Sequence, residues 1–196
     1  MTDIIVEQKA RIVQIFTEQE ADEIFEYLQT KQYEYHKQYK RFNKDVKVPR
    51  GQASYTTHKD IHYDYKQAGG SPPNEVMCER LLDITNKVNK ELGTNYNTIL
   101  LNVYKDGKDH IAPHSDSTAG WMENTGFATV AFGYERKFVI QEISTKQKTK
   151  LLHKKGMCIE VSSEMNKSHK HGLPACVTKG NNQCRISLTF RQIKEV

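Results

Sequence analysis

RISLTFR, residues 185–191, alternates polar and apolar side chains from end to end. A period of two marks a half-buried strand, because successive side chains leave opposite faces. Ile186, Leu188 and Phe190 then share one face, which belongs in a core, and Arg185, Ser187, Thr189 and Arg191 share the other. Two arginines directed inwards are expensive to bury unless anions meet them. A guanidinium grips a carboxylate through paired hydrogen bonds, so a dicarboxylate is the natural partner.

Outward from this segment lie further short runs rich in β-branched and aromatic residues: Thr98–Tyr104, Phe127–Phe132, Lys137–Ile143, Lys150–Leu152 and Met157–Val161. Turn-rich stretches such as KDGKDH and TKGNNQ separate them. Strands at this spacing predict a β-sandwich or a jelly roll. Two helices are predicted ahead of them. Thr17 and Glu20 form a capping box, and Ala21, Ile24, Phe25 and Leu28 follow at helical spacing. The second helix is expected from about Asn74 to Leu92, just after Pro72 and Pro73. Met77, Leu81, Ile84, Val88 and Leu92 give it an apolar stripe, and Gly93 suits its C-terminal cap. Helices first and strands later predict an α+β chain with the helices packed on one sheet. No repeat or low-complexity linker divides the 196 residues, so one domain spanning 1–196 is expected.

The composition, 37% hydrophobic and 27% charged, is that of a soluble chain. No apolar run of about 18 residues predicts a membrane span, and the N-terminus lacks a signal-peptide layout. The net charge of +5 permits a polyanionic partner without demanding one. Cys78, Cys158, Cys176 and Cys184 form no C-x-x-C pair and read as reduced thiols, in the nucleus or cytoplasm. Cys176 and Cys184, near His169 and His171, match no common zinc spacing.

HSD at 114–116 places His114 and Asp116 on one face of an extended segment. His169 and His171 share a strand parity much later in the chain, and either would add a second imidazole. Two histidines and one carboxylate on one side of a metal leave coordination positions open, the donor set of non-haem iron(II) oxygenases. In NVY, Asn102 and Tyr104 share a face and both hydrogen bond to carboxylates.

The segments NVYKDGKDHIAPHSDS at 102–117, ATVAFG at 128–133, HGLP at 171–174 and RISLTFR at 185–191 together resemble the AlkB family of oxidative demethylases. The resemblance runs from about Tyr39 to Arg191. It implies a double-stranded β-helix (jelly roll) core over about 96–193, preceded over about 30–95 by helices and a nucleotide-recognition hairpin. It implies that His171, next to Gly172-Leu173-Pro174, and not His169, completes the ligand set of His114 and Asp116. Fe(II), 2-oxoglutarate and O2 are the implied cofactor and co-substrates, with ascorbate as reductant in vitro. Arg185, Ser187, Asn102 and Tyr104 would hold the distal carboxylate of 2-oxoglutarate, and Arg191 would lie near its iron-chelating end.

FNKDVKVPRGQASY at 42–55 is similar to the branch of that family that repairs duplex DNA. There a hairpin ahead of Pro-Arg carries an aromatic wedge, at the position of Phe42, and Arg50 is expected to contact nucleic acid. A residue that fills the gap left by an extruded base lowers the cost of flipping. Tyr63 and Tyr65 are expected on one strand face of the base pocket, with His114 opposite. The lysine-rich stretch at 145–155 supplies Lys146, Lys148 and Lys150 as backbone contacts. The chain departs from the family at Ser117 and Thr118, where acidic residues are frequent, and at Ser187, where several relatives carry Asn. The implied reaction is oxidative demethylation of 1-methyladenine and 3-methylcytosine in DNA, by an intracellular monomer. The alternatives are the same chemistry on RNA and a catalytically silent nucleic-acid-binding relative.

Overall fold

The structure, a computed structural model, describes residues 4–6, 10–35, 38–41, 44–63, 72–177 and 183–195. Along the chain come β1 (Ile4–Val6), β2 (Ala10–Gln14), helix α1 (Glu18–Gln29), β3 (Glu34–Tyr35), β4 (Gln38–Arg41), β5 (Lys44–Lys47), β6 (Gly51–Thr56) and β7 (Asn74–Val76). Helix α2 (Glu79–Leu92) leads into β8 (Thr98–Tyr104), β9 (Ile111–His114), β10 (Phe127–Gly133), β11 (Arg136–Glu142), β12 (Lys148–His153) and β13 (Met157–Val161). The short α3 (Ser163–Ser168), β14 (His169–Leu173) and β15 (Arg185–Arg191) complete it.

These strands form the double-stranded β-helix that the resemblance implies, the jelly-roll alternative of the two that the spacing leaves open. The larger sheet runs β1-β2-β13-β10-β15-β8-β6-β3, with β7 paired to β6, and the smaller runs β12-β11-β14-β9. The central strand β15 is antiparallel to β10 on one side and β8 on the other. Its alternation decides both faces. Ile186, Leu188 and Phe190 sink into a core with Ala128, Val130 and Phe132 of β10 and with Ala21, Ile24, Leu28, Leu81, Ile84 and Val88 of the two helices. The odd residues turn to the space between the sheets. A second apolar cluster lies there, including Phe127, Phe138, Ile140, Ile159 and Trp121.

Helix α1 begins as expected. The Glu20 amide donates to Thr17 Oγ1 at 3.2 Å and the Thr17 amide donates to Glu20 Oε2 at 2.8 Å. Helix α2 starts later than expected. Asn74–Val76 add instead to β6 as the parallel strand β7, and the Met77 amide donates to the Thr56 carbonyl at 2.8 Å. Pro72 and Pro73 favour an extended entry, and strand pairing extends it to Cys78, the N-cap at φ −74° and ψ 165°. Gly93 closes the helix at φ 70°, as its position predicts. Observed strands match Thr98–Tyr104, Met157–Val161 and Arg185–Arg191 end to end, while the hairpin strands shift to Arg136–Glu142 and Lys148–His153. Among the described residues, no helix is long and apolar enough to cross a membrane.

Candidate metal centre and co-substrate pocket

β9 and β14 pair antiparallel with His171 opposite His114, which brings the two rings to a centroid separation of 4.4 Å. Asp116 Oδ1 lies 3.3 Å from His114 Nε2 and 3.7 Å from His171 Nε2. One ligand atom from each residue falls within 4.8 Å of the others, and this is the only such group of three or more His, Cys, Asp or Glu among the described residues. The pairing thus brings His171, not His169, to the centre. His169 Nδ1 lies 2.8 Å from Ser168 Oγ.

The surroundings prepare each ligand. His114 Nδ1 is 2.9 Å from the Ala112 carbonyl, which only accepts, so Nδ1 carries the proton and Nε2 presents its lone pair to the centre. His171 packs on Phe127 and Phe138, at 4.6 and 5.9 Å between centroids. Burial first, then the neighbouring His114, lower its pKa to about 3, so the imidazole is neutral and able to ligate. Burial alone would raise the Asp116 carboxyl. Arg191, His114 and His171 more than offset that and hold it well below the usual range. Arg191 reaches Asp116 Oδ2 from Nε at 3.0 Å and from Nη2 at 2.5 Å. The Asp116 backbone is clamped from α3. Its N–H donates to Asn166 Oδ1 at 2.9 Å, and Asn166 Nδ2 donates to its carbonyl at 3.0 Å. Gly172 explains the glycine after His171. A Cβ there would stand 2.9 Å from both the Ile111 carbonyl oxygen and the Pro113 nitrogen, at the irregular pairing between His171 and Leu173. The His114 side chain is 36% exposed, so the centre opens on that side. Two imidazole nitrogens and one carboxylate oxygen gathered this way fit iron(II).

Beside the centre, β8 and β15 pair Asn102 with Ser187 and Tyr104 with Arg185. The two motifs read separately in the sequence are therefore partners across one ladder, and all four residues are buried. Arg185 stands over the Tyr104 ring at 5.4 Å, and its buried Nε has no hydrogen-bond partner. Arg50 Nε and Gln52 Nε2 both donate to Asn102 Oδ1, at 2.8 and 3.1 Å. Arg191 pairs with Asp116, whereas the buried Arg185 rests on an aromatic ring and an imidazole, neither of which neutralises it. A buried guanidinium held by neutral groups suits an anion.

Of the expected base-pocket residues, Tyr63 is buried at the end of the described stretch 61–63, which has no strand assignment. Its hydroxyl accepts from Trp121 Nε1 at 3.0 Å and lies 3.3 Å from the Ser117 carbonyl, while Arg191 stands 5.7 Å from its ring centroid. Tyr65 lies outside the described residues. So does Phe42, although β4 and β5 pair as a hairpin up to Arg41 and Lys44. Arg50, expected to contact nucleic acid, is 6% exposed, and its Nε donates to Asn102 Oδ1. Lys148 and Lys150 are exposed on the edge strand β12, and Lys146 occupies the preceding turn at φ 63°. Arg136, His153, Asn166 and Trp121 escaped the sequence reading. Their partners are distant in the chain, and only the ladder registers bring them together.

The profile of the 2OG-Fe(II) oxygenase superfamily matches residues 10–191. The chain is 32% identical over 192 residues to the DNA oxidative demethylase ALKBH2 of Bos taurus, covering 91% of this chain and 66% of that protein. The Homo sapiens ALKBH2 is likewise 32% identical over 192 residues, with 91% and 71% covered. The structure of OsALKBH1 superposes with a TM-score of 0.62 at 12% identity, over 94% of this chain and 98% of that one. A 2OG-Fe(II) oxygenase family oxidoreductase from Burkholderia pseudomallei gives 0.61 at 13% identity, over 95% and 87%. The chain spans about two thirds of the length of the bovine relative.

Proposed function

The chain belongs to the 2OG-Fe(II) oxygenase superfamily, and on that premise we propose that it removes methyl groups from alkylated nucleobases in DNA by oxidation. As an Fe(II)/2-oxoglutarate-dependent dioxygenase it couples oxidation of its substrate to decarboxylation of 2-oxoglutarate. The observation that carries the substrate-side reading is the cradle on the β8–β15 ladder, which lines up two buried arginines beside a His-Asp-His centre open on one side. The ALKBH2 relatives are named DNA oxidative demethylases, which supports a methylated base in DNA as the group brought to that opening.

His114, Asp116 and His171 would hold iron(II), and Arg185, Ser187, Asn102 and Tyr104 the distal carboxylate of 2-oxoglutarate. Iron and 2-oxoglutarate together supply the power to activate dioxygen. The residues supply orientation. Arg191 keeps Asp116 ionised and fixed, Asn166 fixes its backbone, and the Ala112 carbonyl sets the His114 tautomer. In the overall reaction a base methyl, 2-oxoglutarate and O2 give the repaired base, formaldehyde, succinate and carbon dioxide. We assign the catalytic core to about 96–193 and base recognition to about 30–95. Tyr63 and Tyr65 would flank 1-methyladenine or 3-methylcytosine, Phe42 would wedge into the duplex, and Lys146, Lys148 and Lys150 would meet phosphates.

The test uses purified protein with iron(II), 2-oxoglutarate and ascorbate, given methylated single-stranded DNA, duplex DNA and RNA. Formaldehyde and succinate should form in equal amounts on DNA, and faster there than on RNA. Faster turnover on RNA would move the substrate, and no product on any of them would sink the demethylase reading. Phe42→Ala should slow duplex repair more than single-strand repair, and equal slowing would remove the wedge.

A further inference from the structure

We propose that His153 is a positioning residue for the co-substrate, its Nδ1 holding the Arg185 guanidinium so that the remaining donor edge faces the distal carboxylate. This rests on reading the β8–β15 face as the 2-oxoglutarate pocket. His153 ends β12, opposite Arg136 on β11, and is wholly buried. It therefore reaches from the smaller sheet to the central strand of the larger one.

The geometry assigns its protons. Nε2 lies 3.0 Å from the Met157 carbonyl, which can only accept, so Nε2 carries hydrogen. Nδ1 lies 3.0 Å from Arg185 Nη2, which can only donate, so Nδ1 is the bare acceptor. The ring is neutral in this arrangement. Burial first and the facing Arg185 second lower its pKa to about 3, and backbone hydrogen bonds to Met157 and Thr129 offset only part of that. A Phe138 ring packs edge-on at 5.7 Å and restricts the imidazole further.

The chemical type of the partner matters. A carboxylate at this position would neutralise Arg185 and compete with any incoming anion. A neutral acceptor orients the guanidinium and leaves its charge available. Tyr104 below the guanidinium plane and His153 at one nitrogen fix its tilt and its rotation, and the buried Nε is left without a partner. An anion that fits the cradle meets an arginine already aimed, so little freedom is lost on binding.

Two variants separate aiming from mere support. In His153→Gln the side-chain amide sits where Nε2 was, able to donate to Met157, and the acceptor towards Arg185 is gone. In His153→Asn the Oδ1 sits near the place of Nδ1 and restores that acceptor. Binding is measured by calorimetry on manganese-loaded protein without oxygen, for 2-oxoglutarate and for 2-oxobutyrate, which shares the chelating head and lacks the distal carboxylate. His153→Gln should weaken 2-oxoglutarate about tenfold, the scale of one charge-assisted hydrogen bond, and leave 2-oxobutyrate unchanged. His153→Asn should stay within about threefold of wild type for both acids. Equal weakening of the two acids, or a Gln variant that binds 2-oxoglutarate like wild type, would overturn the proposal. If the Gln variant does not fold, the wild-type imidazole decides: its 15N Nδ1 signal should shift on adding 2-oxoglutarate and not on adding 2-oxobutyrate, and no difference refutes the role. A wild type that binds both acids alike would instead remove the pocket assignment, and the proposal with it.

Discussion

Gly172 and Asn166 show how single residues hold the centre together. The approach of β14 to β9 leaves no room for a side chain at Gly172, because the obstructing atoms are backbone atoms that cannot rotate away. Gly172→Ala should therefore lower stability by about 1–3 kcal/mol, the range of an overpacked core site, and push His171 away from His114. Urea unfolding and a metal titration would check both effects, and unchanged values in each would show that the strands have slack. Asn166 does something different: its amide satisfies both backbone groups of Asp116. Asn166→Ala should weaken metal binding by about 10- to 100-fold, as losses around a metal's ligands do. Metal affinity equal to wild type would mean that the Arg191 contact alone suffices to place the carboxylate.

At the scale of elements, legibility followed how far each signal travels along the chain. The α1 cap is a contact across three residues, and both halves of the Thr17–Glu20 box form as the sequence predicts. Thr17→Ala should cost about 1 kcal/mol in chemical denaturation while leaving turnover unchanged, since the cap lies on the side of the larger sheet away from the centre. A loss of turnover at full stability would tie α1 to the site. The strands β8, β13 and β15 were readable because alternation or a continuous apolar run reports burial directly. Their register was not. No local pattern shows that Asn102 faces Ser187, or that β2 closes on β13 at Ile12 and Ile159. The start of α2 was misplaced for the same reason. Met77 fits the helical stripe, yet a strand partner in β6, outside the window, claims the residues before it. The six residues of α3 give too little periodicity to recognise, although they carry Asn166.

Across the whole molecule, the space between the sheets collects charged and polar groups that no single segment announces. Arg50 comes from the edge of β6, Arg136 from β11, His153 from β12 and Arg185 from β15, and they converge only when both sheets are complete. Sequence periodicity marked the inward arginines at 185 and 191 and missed the other three, because it tells which face a residue takes and not what lies across the gap. This enclosed imidazole makes folding sensitive to acid. The pKa of His153 falls from the usual 6.5 to about 3 in the fold, so between those values the unfolded chain binds a proton that the folded chain refuses. Stability is then full above about pH 6.5 and falls as pH drops towards 3, by about 1.4 kcal/mol per pH unit for a single group. His171 adds a similar acid sensitivity in metal-free protein, and it does so equally in any variant at 153. Metal-free wild type and His153→Asn should therefore differ in slope between about pH 6 and 4.5, with the shallower slope in the asparagine variant, whose side chain does not titrate. Denaturant melts across that window measure both slopes, and parallel curves would show that His153 takes up its proton within the fold.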